Sequence, residues 1–473
     1  MNRSEPRSAS TLPDGRVAGP ASRRRIEPVH LGWSIGTLGV SLQLNTFNVA
    51  TLFFLVTVLK IEPLIAGALI TGSKLYDAFT DPLMGAISDR TRSRWGRRRP
   101  YLMLGGLGCG VTFALLFAIP PIPDQMLLYL YVAGALVLLS TAYTVFNVPY
   151  LAMPAEMIDD YHERSVLMSY RVFLISIGTF IGVSGTPALV AYFQDHLGQS
   201  PNLAYRNMGL IIGVMMTAAM VAAFFGTRQA RFTERTRTGM TARRQLRLLA
   251  DNKPFLLFMG IKLAGLFSLA SILTSKFFFV VYIMERSIGI AAVFGVAQLI
   301  GQIISIPFWL ALSRRFGKRR VLIVSSFAMT ILVLTWLFSG PAEPIWVYSL
   351  RGFALGIGGA GTILGTQAIL PDVMEYDYRR TGLRREGVYA GIASFIEKTS
   401  GALSAVVIGG FLSLMDFDRQ LPAGEQPESA LVAIMACTAL IPAGMYALKL
   451  ILLKFFDLSE AKLKNATRVV NAD

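Results

Sequence analysis

The sequence predicts an all-α integral membrane protein, with about twelve spanning helices in two six-helix halves. Three observations carry that prediction. Of 473 residues, 53% are hydrophobic and only 16% charged, against about 25% charged in an ordinary soluble domain. Apolar runs of about 20 residues recur along nearly the whole chain, each long enough to cross a hydrocarbon core about 30 Å thick. Basic residues gather in alternate gaps between those runs, as they do in cytoplasmic loops. Backbone in lipid must satisfy its own polar groups, so the runs are helices; the short alternating segments of a barrel are absent.

Each element follows in order. Residues 1–30 are rich in Arg, Ser and Pro and hold no apolar core before Leu31. That composition predicts a disordered cytoplasmic tail and not a cleaved signal peptide. The first half, 31–226, carries apolar helices at 31–59, 64–88, 101–119, 127–154, 169–193 and 207–226. Residues 227–254 form a basic cytoplasmic linker. The second half, 255–453, carries helices at 255–284, 288–312, 321–339, 344–370, 387–415 and 428–453, and 454–473 is a second cytoplasmic tail. With both termini inside, the only loop Lys and Arg that face outward are Lys60, Arg206, Arg286 and Arg419. The opposite orientation would put Arg97-Arg98-Arg99 and Arg243-Arg244 outside, against the positive-inside rule. A plasma membrane of the bacterial inner kind is the expected location.

The net charge of +16 would suggest nucleic acid in a soluble protein. Membrane topology accounts for it here, and no nucleic-acid partner is expected. Cys109 and Cys437 lie in separate apolar runs, and His30, His162 and His196 are scattered, so neither a disulfide framework nor a histidine metal site is expected. No nucleophile–base grouping appears, so the chain reads as no enzyme, with no cofactor. Gly356-Ile-Gly358-Gly359-Ala-Gly361 has dinucleotide-loop spacing, but it lies inside an apolar helix with no strand before it. Close helix packing explains it better. Asn465-Ala-Thr467 is a formal sequon in the predicted cytoplasmic tail.

A weak repeat joins the halves. Gly85-Ala-Ile-Ser-Asp89-Arg90 leads to Gly96-Arg97-Arg98-Arg99 after helix 2, and Ser313-Arg-Arg-Phe-Gly317-Lys-Arg-Arg320 follows helix 8. Two six-helix halves with corresponding loops fit the major facilitator fold. The first loop resembles that superfamily's Gly-x-x-x-Asp-Arg…Gly-Arg-Arg signature. Asp89, Arg90 and Arg97 are the gating candidates, since Asp89 can pair with arginines and lock helix ends in one access state.

Charge inside the membrane is costly, about 2.5–3.5 kcal/mol at a helix centre on insertion scales. Helix 2 contains Lys74-Leu-Tyr-Asp77-Ala-Phe-Thr80-Asp81-Pro82. Asp77 and Asp81 share one face, one turn apart. Both can stay ionised only with a counter-charge, so a coupling Na⁺ or H⁺ is expected there, or a structural pairing with Lys74. Pro82 frees the Ala78 carbonyl, which with Thr80 could complete a small-cation site. Arg171, at or near the start of helix 5, and Lys398, beside Glu397 in helix 11, are candidate counter-charges. The alternative for Lys398 is a Glu–Lys pair turned inward for packing. Lys262, Lys276 and Arg351 are expected near helix ends, reaching for the interface. In helix 4, Tyr143, Asn147 and Tyr150 around Pro149 suit a polyhydroxylated ligand or hydrogen bonding between helices.

The helix 2 block, Lys74 through Pro100, resembles the glycoside–pentoside–hexuronide:cation symporters, whose type example is the melibiose permease. Asn147-Val-Pro-Tyr150, Asp159-Asp-Tyr-His-Glu-Arg164…Ser169-Tyr-Arg171 and Leu370-Pro-Asp372-Val-Met-Glu375-Tyr-Asp377 agree with it. The resemblance implies cation-coupled uptake by alternating access, generally as a monomer. It assigns cation binding to Asp77, Asp81 and Thr144, and places the family's helix 5 arginine and helix 11 lysine at Arg171 and Lys398, which join Ser41, Tyr143, Asn147 and Tyr150 as the substrate-binding candidates. The melibiose permease grips its galactoside with aspartates in helices 1 and 4 and a tryptophan. Those positions fall on Ser41, Asn147 and Leu151 here, so a glycoside other than a galactoside, a pentoside or a glucuronide is expected. Animal lysophospholipid symporters share the helix 2 pair and the helix 11 lysine, which keeps an amphipathic solute as the alternative. A transporter-like sensor that moves nothing is the remaining reading.

Overall fold

The computed structural model describes residues 28–157, 161–230, 251–381 and 386–458. Most of the predicted linker and of both tails, the sequon and Asp159-Asp160 lie outside the described residues. Twelve helices follow: α1 Pro28–Val58, α2 Pro63–Arg90, α3 Arg99–Phe117, α4 Gln125–Met157, α5 Tyr161–Phe180 prolonged to His196, and α6 Pro201–Gly226. The second half has α7 Lys253–Ile283, α8 Ile290–Phe316, α9 Lys318–Phe338, α10 Ile345–Thr381, α11 Glu386–Leu414 and α12 Glu428–Phe455. Eleven are long and apolar enough to cross a membrane. The exception is α2, which is long enough but carries Lys74, Asp77, Asp81, Asp89 and Arg90.

Several ends differ from the expected ones. α10 runs on to Thr381 and α4 to Met157, and α5 starts at Tyr161. Hydropathy marks only the part of a helix that lies in lipid, and these ends continue as polar turns beyond it.

Small residues let the helices approach closely. A β-carbon on Gly32 of α1 would lie 2.6 Å from the Gly226 carbonyl oxygen of α6, and one on Gly105 of α3 would lie 2.5 Å from the Phe146 nitrogen of α4. The misleading glycine pattern in α10 does the same: Gly356 backs onto the Gln298 carbonyl, and Gly361 onto Trp309 and Ser325.

The repeat is visible at residue level. Gly96 and Gly317 both take positive φ, +90° and +85°. After Gly96, Arg97 pairs with Glu156 of α4 at 2.5 Å; after Gly317, Lys318 pairs with Asp372 of α10 at 2.8 Å. Arg99 donates to the Phe224 carbonyl near the end of α6, and Arg319 to the Leu453 carbonyl near the end of α12. Cations there meet orphan carbonyls and the negative end of the helix. At the far membrane face α1 and α7 each close with a π-helical turn, Phe54–Val58 and Phe279–Ile283. The residues just before those turns, Phe53 and Phe278, meet edge to face at 5.0 Å.

The halves join along α2–α11, α1–α7 and α5–α8. Thr71 donates to the Ala402 carbonyl at 2.8 Å, Ser413 to Glu62 at 3.2 Å and Ser287 to Asp195 at 2.6 Å, while Lys60 reaches the Arg419 carbonyl. Gly67 of α2 lies flat on α11, where a β-carbon would come 2.6 Å from the Ala405 carbonyl oxygen.

Candidate ion-coupling and solute site

The helix 2 charges meet the second half. Lys398 Nζ lies 2.5 Å from Asp81 Oδ2 and 3.9 Å from Asp77 Oδ2, reaching across the α2–α11 joint. Lys74 lies 3.7 Å from Asp77 Oδ2. Thr144 of α4 donates to Asp81 Oδ1 at 2.8 Å. Asp77 is fully buried and neither carboxylate oxygen has a hydrogen-bond partner. The Ser140 hydroxyl beside it is committed to the Ser73 carbonyl. Tyr143 lies between the two ammonium groups, its ring 6.0 Å from Lys74 Nζ and 5.4 Å from Lys398 Nζ.

The cluster therefore holds two carboxylates against two ammonium groups, with no net charge. Added positive charge is best accommodated there where an ammonium is displaced or gives up a proton. The donor set suits a small hard cation: two orphaned oxygens on Asp77, Asp81 and the Thr144 hydroxyl are all oxygen ligands. Two expected details change. Thr80 turns its hydroxyl to the Tyr76 and Asp77 carbonyls and does not point into the cluster. Lys398 turns to α2 and not to Glu397, because adjacent residues on a helix do not face each other.

The expected solute residues divide. Tyr143 and Asn147 are both 4% exposed, and Asn147 Oδ1 has no partner. Arg171 lies well inside α5, not at its start, and its Nε has no partner. Ser41 and Tyr150 are occupied by packing. Ser41 donates to the Ile175 carbonyl of α5 at 2.9 Å. Tyr150 donates to the Trp33 carbonyl at 2.8 Å and stacks on Trp33 at 4.7 Å.

At the basic face Arg98, beside the expected Arg97, joins two carboxylates. It bonds Glu156 at 2.5 Å and Asp89 at 3.1 Å, while Arg97 shares Glu156 and Arg90 is exposed with no ion pair among the described residues. Glu156 was not legible in the sequence, since it comes from the end of α4, far along the chain from the loop it meets. The helix-end expectation fails for two lysines. Lys276 is 4% exposed, with Nζ unpartnered and 4.0 Å from the Phe294 ring. Lys262 donates to the Ala393 carbonyl of α11 at 3.1 Å. Lys276 is buried among the helices, and Lys262, only partly exposed, spends its ammonium on a neighbouring helix. Arg351 does lie near the start of α10, where it pairs with Glu343 at 2.6 Å.

Twelve helices in repeated halves, with an ion cluster at their joint, define a membrane transporter of the major facilitator class. The family description "MFS/sugar transport protein" matches residues 32–460, and the chain belongs to that family; the resemblance to the glycoside–pentoside–hexuronide:cation symporters holds. It is 29% identical to the uncharacterized symporter YnaJ of Bacillus subtilis (strain 168), over 93% of each chain. It is 24% identical to the isoprimeverose transporter of Lactiplantibacillus pentosus, over 91% of this chain and 89% of that one. The crystal structure of a mutant form of the nucleoside transporter NupG superposes with a TM-score of 0.63 at 12% identity, covering 90% of this chain and 99% of NupG. That likeness concerns the fold alone.

Proposed function

We propose that the protein takes up a sugar or glycoside by symport with Na⁺ or H⁺, as a monomer in a bacterial inner membrane with both termini cytoplasmic. The observation that carries this reading is the ammonium of Lys398, donated by the second half into the carboxylate pair of the first. The cation competes with Lys398 for Asp81 and Asp77, so its binding changes the bond between the halves. Thr144 holds Asp81 in place for the exchange. Tyr143, Asn147 and Arg171 contribute to the adjoining solute site. Ser41 and Tyr150 act indirectly, by fixing α1 against α5 and α4. Asp89, Arg97 and Arg98 hold the basic ends of α2, α3 and α4 together in one access state.

Coupling is reciprocal: cation and solute raise each other's affinity by the same factor. Polar groups at the depth of Lys398, among them Asn147 and Glu397, favour a hydroxylated solute over a lysophospholipid, whose chain needs an apolar lining. The test is uptake into vesicles of labelled glycosides, pentosides, glucuronides and lysophospholipids under imposed Na⁺ or H⁺ gradients. A sugar is expected to accumulate under one of these gradients, and Asp77→Asn should abolish accumulation. Unchanged cation-driven uptake in Asp77→Asn would remove that residue from coupling, and accumulation of lysophospholipid alone would replace the sugar reading.

A further inference from the structure

We propose that Glu397 of α11 is a solute-binding residue in the space between the halves, accepting hydroxyl protons from a neutral sugar or glycoside in preference to a hexuronide. The proposal rests on the sugar-transport reading and names the chemistry of its solute site.

Glu397 sits at the depth of Lys398 and is exposed, although the chain around it crosses the membrane. Among the described residues it has no hydrogen-bond or ion-pair partner. A carboxylate at such a depth needs water or a ligand. Its direction is fixed by its neighbours on α11. Ala393, Glu397 and Gly401 are successive residues of one stripe, each four apart. Lys262 of α7 donates to the Ala393 carbonyl at 3.1 Å. A β-carbon on Gly401 would come 3.3 Å from the Asn48 side-chain oxygen of α1. The stripe therefore faces α7 and α1, one from each half. Ser404 on the same face is fully buried. The lipid side of α11 is the opposite one, marked by exposed Phe395 and Leu403. A third face, with Lys398, Ala402 and Ala405, is pressed on α2. Glu397 thus opens into the space between the halves and not into lipid, and Tyr143 of α4 and Lys262 lie within its electrostatic reach.

The chemistry follows from the charges. Asp77 and Asp81 are compensated by Lys74 and Lys398, whereas Glu397 keeps its lone pairs unspent. An ionised carboxylate only accepts hydrogen bonds, and its two oxygens can take neighbouring hydroxyls of a sugar ring. The same charge repels a hexuronide; the nearby Lys262 commits one of its three donors to the Ala393 carbonyl. Among the described residues the Asn48 side chain has no hydrogen-bond partner, and it offers an amide one turn further along this face.

The test uses the full-length protein in liposomes, with Glu397→Gln and Glu397→Asp beside wild type. Neutral glycosides, pentosides and glucuronides are supplied under a Na⁺ or H⁺ gradient. Wild type is expected to prefer a neutral solute. Glu397→Gln should raise its KM about ten- to hundredfold, the loss of one hydrogen bond to a charged group. Maximal rate and cation dependence should be kept, and Glu397→Asp should recover part of the affinity. An unchanged KM in Glu397→Gln, a preference for glucuronides, or an effect confined to cation dependence overturns the assignment while leaving sugar transport intact. Failure of wild type to accumulate any of these solutes removes the sugar-transport reading, and Glu397's role with it.

Discussion

Lys276 and Lys398 are both lysines inside the membrane, yet their surroundings set them different tasks. Lys398 has two carboxylates within 3.9 Å. Lys276 has none among the described residues, where the face of Phe294 lies 4.0 Å away. A buried ammonium loses several kcal/mol of hydration, and a cation–π contact returns about 2 kcal/mol when desolvated. The remainder is an unrelieved cost carried by the folded state. Replacing Lys276 with Met keeps the length and the packing and removes the charge. The Lys276→Met protein should therefore melt at a higher temperature than wild type in detergent. A lower melting temperature would mean that the ammonium has a stabilising partner in solution.

The α2–α11 pair shows the same logic for whole elements. These helices bring the two halves of the ion cluster together, and their approach depends on missing side chains. A β-carbon on Gly409 would fall 2.2 Å from the Pro63 carbonyl oxygen, and backbone cannot swing aside as a side chain does. On Gly410, the next residue, it would stand 3.7 Å from the tip of Leu64, an ordinary contact. Gly409→Ala should force the helices apart at a cost of about 1–3 kcal/mol and slow uptake by pulling Lys398 away from Asp81. Gly410→Ala should leave rate and stability near wild type, even though the two substitutions are chemically identical. Equal behaviour of the two variants, read by uptake and thermal stability together, would show that close approach of α2 to α11 does not hold the cluster.

For the whole molecule, what the sequence made legible was what lipid enforces. Apolar runs gave all twelve helices, and Asp77 and Asp81 stood out because charge inside an apolar run is rare. The cross-chain partners had no such signal. Glu156 and Arg98 meet only after α2, α3 and α4 are packed, and the orphaned Lys276 reads in sequence like any lysine near a helix end. Thr144 on Asp81 was reachable through resemblance, not spacing. The proposed orientation of the bundle rests on its basic loops and can be tested directly. Both native cysteines, Cys109 and Cys437, are buried, so the wild-type protein gives little background to a membrane-impermeant maleimide. Arg94 is exposed on the basic face, and Ser200 and Ala342 are exposed on the opposite one. In intact cells Ser200→Cys and Ala342→Cys should label from outside, while Arg94→Cys should label only after the membrane is permeabilised. Labelling of Arg94→Cys from outside would invert the molecule, put Lys318 and Arg97 on the external face, and break the positive-inside rule for this chain.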